Sequence, residues 1–200
     1  MSQMYAKMAD IIKPKEGERF KVDTFEIGAD DWMVSVRLGI ERGRYARLDD
    51  KEKKACVMSD TQMEQFTNRE FVLNAHGKVL IGGLGIGMVL LAIQDKPEVT
   101  DILVVEKYQE VIDLVKNQLP LNSKVRIIQG DVFAYEPTEK FNTIYLDIWN
   151  NAGSRDIYEE QRPLRLRYRK YLVTNEEDPK RWIDCWMYKH NRDEDFSWGW

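Results

Sequence analysis

Four short apolar runs in the middle of the chain each end on groups that can do chemistry. Lys78-Val79-Leu80-Ile81 runs into Gly82-Gly83-Leu84-Gly85-Ile86-Gly87, and Asp101 to Val105 closes on Glu106. Val125 to Ile128 leads to Gln129-Gly130-Asp131, and Phe141 to Leu146 closes on Asp147, followed by Ile148-Trp149-Asn150. Glycines between a strand and a helix let the backbone turn tightly and approach a ligand with no Cβ in the way. An acid about twenty residues beyond Gly87 stands where a ribose would offer both hydroxyls, and Glu106 has that spacing. Asp131 could accept from an adenine amino group while Val132 or Phe133 covers the ring. Asp147, closing an apolar strand, would be costly to bury without a purpose. Each signal alone is weak, because Glu106 could be a helix cap and Gly130-Asp131 a common turn. Together, in this order and each at a strand end, they describe a site for a nucleoside with a charged tail.

The elements that must hold these groups follow from the pattern between them. Met88 to Ile93 reads as a helix ended by Lys96-Pro97, and Gln109 to Leu119 as a second, with Val111, Ile112, Leu114 and Val115 inward and Pro120 as its stop. Strand alternating with helix predicts a parallel sheet covered on its faces. Upstream, Asp60 or Thr61 could cap a helix carrying Met63, Phe66, Phe71 and Val72 inward. Glu64 stands three residues past Thr61 as in a capping box, and Gly77 suits a left-handed C-cap. Before Ser59 the segments Thr24 to Ile27, Met33 to Leu38, Tyr45 to Leu48 and Ala55 to Met58 read as hairpin strands. After Trp149, Asp156 to Leu172 is helix-compatible, with Pro163 marking a kink or a true start. Arg181 to Tyr188 reads as a short helix with Trp182 and Trp186 on one packed face, and no run resembles a fifth parallel strand. The organisation expected is a β-rich region over 1–59, a Rossmann-like core over 60–150 and a helical extension over 151–200.

Composition narrows the class. A net charge of −4 supplies no global cationic field, which argues against nucleic acid held by overall charge. The run Arg162, Arg165, Arg167, Arg169 and Lys170 is a solvated face paired with acids such as Glu159 and Glu160, or else a docking surface for an acidic partner. Cys56 and Cys185 form no CxxC pair, and with two histidines there is no metal-ligand cluster. The first fifteen residues have no secretory apolar core and no apolar run is long enough to cross a bilayer, so a cytoplasmic protein without a membrane partner is expected. His76 is assigned no chemistry.

The stretch from Val57 to Trp149 resembles class I S-adenosylmethionine (SAM)-dependent methyltransferases, and within them the spermidine synthase-like branch. Val57 to Gln62 is similar to the strand and turn before that branch's glycine motif. Val79-Leu80-Ile81-Gly82-Gly83 resembles the start of the nucleoside motif, and Leu103 to Glu106 the ribose-binding strand. Gly130-Asp131 resembles the adenine-side motif, and Leu146-Asp147 the reaction-face strand. The whole chain is similar to short phage- or prophage-type methyltransferase-like proteins. The resemblance implies a Rossmann-like methyltransferase fold and SAM or S-adenosylhomocysteine (SAH) at Gly82, Gly83, Leu84, Gly85, Gly87, Glu106, Lys107, Asp131 and Val132, with Gln62 near the cofactor tail. It implies Asp147 as the group that orients an acceptor or takes its proton, and Trp149 and Asn150 beside the acceptor. Aminopropyltransferases of the branch carry acids where this chain has Gly85 and Asn150, so polyamine chemistry is disfavoured and the methyl acceptor stays open. A non-catalytic nucleoside-binding module is the alternative, in which a dimer partner would cover the edge of a shortened sheet.

Overall fold

Val79, Leu80 and Ile81 are wholly buried although they belong to one strand, which requires cover on both faces of the sheet that holds them. A computed structural model of the protein describes residues 4–31, 33, 36, 40–150 and 154–188. It contains two sheets. The first is antiparallel, in the order β1 (Lys15–Glu16), β2 (Phe20–Ile27), β3 (Gly43–Asp50) and β4 (Ala55–Ser59), preceded by the short helix α1 (Met8–Ile11). The second is parallel throughout and contains β5 (Gly77–Gly82), β6 (Val99–Glu106), β7 (Val125–Gln129), β8 (Thr143–Leu146) and β9 (Trp182–Cys185), ordered β7-β6-β5-β8-β9.

Side chains alternate across that second sheet and divide the core in two. Val79, Ile81, Ile102 and Val104 face α2 (Gln62–Asn74), α3 (Met88–Ile93), α4 (Gln109–Val115) and the first sheet. Leu80, Leu103, Ile144 and Leu146 face the other way, onto Ile157, Leu164 and Tyr168 of the helical segment after β8. That segment runs through Ser154–Asp156 and a π-helical stretch, Ile157–Gln161, into α5 (Arg162–Tyr168), whose first turn holds Pro163. The result is an α/β Rossmann-like core, as the strand-helix rhythm predicts. Chain order leaves β5 in one direction toward β6 and β7, then crosses to the other side for β8 and β9. A crevice opens where this reversal occurs, at the carboxyl ends of β5 and β8.

Four expectations are corrected. Trp182–Cys185 is a fifth parallel strand paired with β8, where a helix was expected. Trp182 stacks on Phe71 at 6.1 Å rather than sharing a helix face with Trp186. The buried face of α2 carries Glu64, Asn68, Phe71 and Val72, while Met63 and Phe66 are exposed. Gly77 does adopt a left-handed φ of 59°, but it opens β5, and α2 already ends at Ala75. The strand expected over 33–38 lies mostly outside the described residues, and the two described there, Met33 and Val36, are helical. No helix among the described residues is long and apolar enough to cross a membrane.

Candidate functional site

The crevice holds a cavity of about 390 Å³. One wall is the turn after β5. Gly83 has φ 97°, and a Cβ there would lie 2.1 Å from the backbone oxygen of Asp147, so the turn and the end of β8 touch through bare backbone. Gly83→Ala is therefore expected to cost about 3 kcal/mol or more in urea unfolding, because neither the conformation nor the neighbouring carbonyl can yield cheaply. Gly85, with φ 52°, is covered by Met58, whose Sδ accepts from the Ile86 amide at 3.3 Å. Met58 comes from β4, so the antiparallel sheet forms the roof of the cleft.

Glu106 stands at the next strand end, 7 % exposed. Its Oε2 accepts from the Leu84 amide and its Oε1 from the Tyr108 amide, both at 2.9 Å. The carboxylate thus ties the glycine turn to the loop after β6. Burial pushes its pKa up against the opposing pull of those amides. The Tyr108 ring packs against Phe20 at 4.7 Å, and Glu110 of α4 accepts from the Arg19 and Phe20 amides, which pins the roof over this side. Asp131 bridges to Lys107 at 2.8 Å and accepts from the Phe133 amide at 2.9 Å; the ammonium beside it holds its carboxyl low.

The lining beside the end of β8 is different in character. Asp147 keeps some surface toward the cavity yet is densely surrounded by protein, and desolvation, with the Glu64 charge second, drives its pKa well above the usual carboxylate range. Glu64 reaches the same space from the first turn of α2. Burial pushes it up to about 7. Trp149 lines the cavity and donates its indole N–H to Glu160 at 2.7 Å, and Trp186 lines it too, its indole donating to Thr67. Glu160 belongs to the π-helical stretch, a distortion that recurs at functional sites.

The structure brings together Gly83, Leu84, Gly85, Glu106, Lys107, Asp131, Val132, Asp147, Trp149 and Asn150 around this one cavity. It does not bring in Gly82, which packs under Val132 and Leu146, or Gly87, which caps α3 against Leu119. Gln62 bonds to Tyr45 and lies outside the cavity lining. Sequence reasoning missed Glu64 and Met58. Glu64 was expected in a capping box, but Thr61 makes no side-chain cap bond and the acid turns inward instead. Two of the five basic residues of the arginine run are structural, while Arg162, Arg169 and Lys170 are exposed. Arg167 donates to the carbonyls of Phe133 and Tyr135, and Arg165 to that of Ile183, with Asp184 3.7 Å away.

No family model and no curated protein matches the chain. Solved structures do. The glycopeptide N-methyltransferase MtfA is 18% identical over 55% of this chain and 49% of its own, with a TM-score of 0.42. The DhpI–SAH complex is 16% identical over 54% and 50%, with a TM-score of 0.42. A SAM-dependent methyltransferase from Clostridium acetobutylicum ATCC 824 is 16% identical over 57% and 48%, with a TM-score of 0.41. The chain spans about half the length of these proteins. What the cavity holds is decided by its own residues.

Proposed function

We propose that the protein is a SAM-dependent methyltransferase whose cavity holds the nucleoside against the glycine turn and the acceptor against Asp147. The observation that carries this reading is one cavity at the reversal of strand order, lined by the glycine turn, Glu106 and Asp131 and also by Asp147. The residues fit the group. Gly83 and Gly85 keep the turn free of side chains, and Glu106 has lone pairs left for ribose hydroxyls after its two amides. Val132 and Phe133 line the side where an adenine ring would lie. Asp131 must loosen its bridge to Lys107, an exposed and hence weak tie, to accept from an amino group.

When bound, SAM supplies a methyl group already activated as an electrophile. The protein then has to position an acceptor, exclude water and take a proton. Trp149 and Trp186 supply apolar walls. Asp147, with its pKa raised, is a stronger base than a solvated carboxylate and suits proton acceptance. Gln62 has no place in this reading of the site.

The test is calorimetric titration with SAM and SAH, followed by Asp147→Asn. Micromolar binding of both ligands is expected. The variant should keep SAH affinity within a few-fold while methyl transfer falls about 100-fold or more. Failure of both ligands to bind would remove the cofactor reading, and full turnover in Asp147→Asn would remove that residue from the chemistry.

A further inference from the structure

Two carboxyl groups, Glu64 buried and Asp147 half-buried, line the same cavity, and among the described residues no cation acts on either. Glu64 is 8 % exposed, and it lines the same cavity as Asp147 closely enough for its charge to act on that acid. The lysines that line the cavity are Lys53 and Lys107, and Lys107 is already bridged to Asp131. The charge that Asp147 feels from its surroundings is the negative one of Glu64. Ile148, Asn150, the indoles of Trp149 and Trp186, and Glu160, which accepts from the Trp149 indole, also line the cavity.

We propose that Glu64 and Asp147 form a paired-carboxylate subsite for the ammonium group of a primary or secondary amine acceptor. This inference rests on the methyl-transfer reading of the same cavity and names its substrate class. Two carboxyls that share a pocket without a counterion leave negative potential there, and the Glu64 charge resists ionisation of Asp147 while burial, opposed by the Ser59 amide, resists that of Glu64. A ligand with one positive charge and two or three N–H donors relieves both conditions at once, through charge-assisted hydrogen bonds to the two acids. A neutral hydroxyl offers one donor and no charge. The indoles favour the same ligand, since a cation over an aromatic face is attracted by the ring quadrupole.

The arrangement also settles the proton. An ammonium nitrogen has no lone pair to offer. One N–H bond breaks, its pair stays on nitrogen, and the proton forms an O–H bond with a carboxylate, so the two opposite charges cancel. A carboxylate whose affinity for protons is raised by burial can take that proton more readily than one in water. Glu64 is then the second acid of the subsite, beside Asp147, and Gly85 and Asn150 need not supply it.

The experiment is calorimetry with two matched pairs of probes, benzylamine against benzyl alcohol and butylamine against butanol. Each is titrated into the full chain with and without saturating SAH. Each amine is expected to bind at least tenfold tighter than its alcohol. Glu64→Gln and Asp147→Asn, shown to be folded by their melting curves, should each bring that ratio close to one. Equal binding of amine and alcohol, binding of none of the four probes, or a preference that survives both substitutions overturns the inference. The arm without SAH separates the two readings. An amine preference in a protein that does not bind SAH sinks the cofactor reading alone, while SAH binding without the preference sinks the amine subsite alone.

Discussion

Glu106→Ala is expected to weaken SAH binding at least 100-fold and to lower stability by about 2–4 kcal/mol. The two effects share one cause. Both carboxylate oxygens already accept backbone amides, from Leu84 in the glycine turn and from Tyr108 after β6. Alanine leaves a buried donor at Leu84 and a half-buried one at Tyr108 without an acceptor, and each such loss costs about 1–3 kcal/mol. It also frees the turn from the strand end that sets its position, and on the proposed reading it removes the acceptor for a ribose. Glu106→Gln separates these roles. The amide oxygen can keep one of the two backbone bonds, so most of the stability should remain. The amide nitrogen now faces a backbone N–H donor with a donor of its own, and it cannot accept from the ribose hydroxyls that the carboxylate would serve. SAH affinity should therefore still fall at least tenfold in a protein that melts close to wild type. Calorimetry alongside thermal denaturation reads both quantities. Unchanged affinity in Glu106→Gln would mean that the acid is a brace for the turn and holds no ligand.

The parts of the fold legible in the sequence are those whose cause is local. β5 and β6 are apolar runs because they are covered on both faces, and the glycines stand where backbone meets backbone, as at Gly83 against Asp147. β9 was illegible for the opposite reason. Trp182-Ile183-Asp184-Cys185 carries an acid in its middle, and Asp184 is buried there with Arg165 of α5 beside it at 3.7 Å. Its pairing with β8 bridges more than thirty positions of chain, so no short-range period could announce it. The same limit governs the site. The acids at the ends of β6 and β8 and after β7 are placed by their own strands and could be read. The roof could not, because Met58 and Phe20 reach the cleft only through packing between the two sheets.

Glu64 shows how a correct helix can be read with the wrong face. Apolar periodicity puts Met63 and Phe66 inward, yet both are exposed. The helix instead turns Glu64 and Asn68 toward the sheet, where Asn68 accepts from the Tyr145 hydroxyl at 2.8 Å and Glu64 meets the cavity. A helix that lines a polar cavity buries polar groups, and hydrophobic period then points away from the function. The exposed choice was available in the sequence as a capping box, and it is the reading the structure rejects.

Glu64→Gln is expected to make the protein more stable at pH 8 and to leave it nearly unchanged at pH 4. Burial raises the Glu64 pKa from 4.5 to about 7 in the folded state. Below about pH 4.5 folded and unfolded chains both hold the proton, and the group contributes no pH dependence. Between 4.5 and about 7 the unfolded chain releases it while the folded chain keeps it, so the folded state binds more protons and stability falls as pH rises. Above about 7 the loss is complete, and a shift of this size corresponds to about 3 kcal/mol. Glutamine has the shape of the protonated acid and never ionises, so it removes the loss without opening a cavity. Other raised carboxyls, Asp147 and Glu106 among them, give the wild type the same downward slope, but all remain in the variant except for the weakened push of Glu64 on Asp147. The difference between the two proteins therefore isolates Glu64 and the groups it touches. Urea unfolding at half-unit steps from pH 4 to 8.5 should show the variant gaining about 2–3 kcal/mol, with the rise confined to the window between 4.5 and 7. A difference that stays flat with pH would mean that Glu64 is solvated and ionised at neutral pH, and a cavity walled by such a group would have no unmet charge to offer an ammonium ligand.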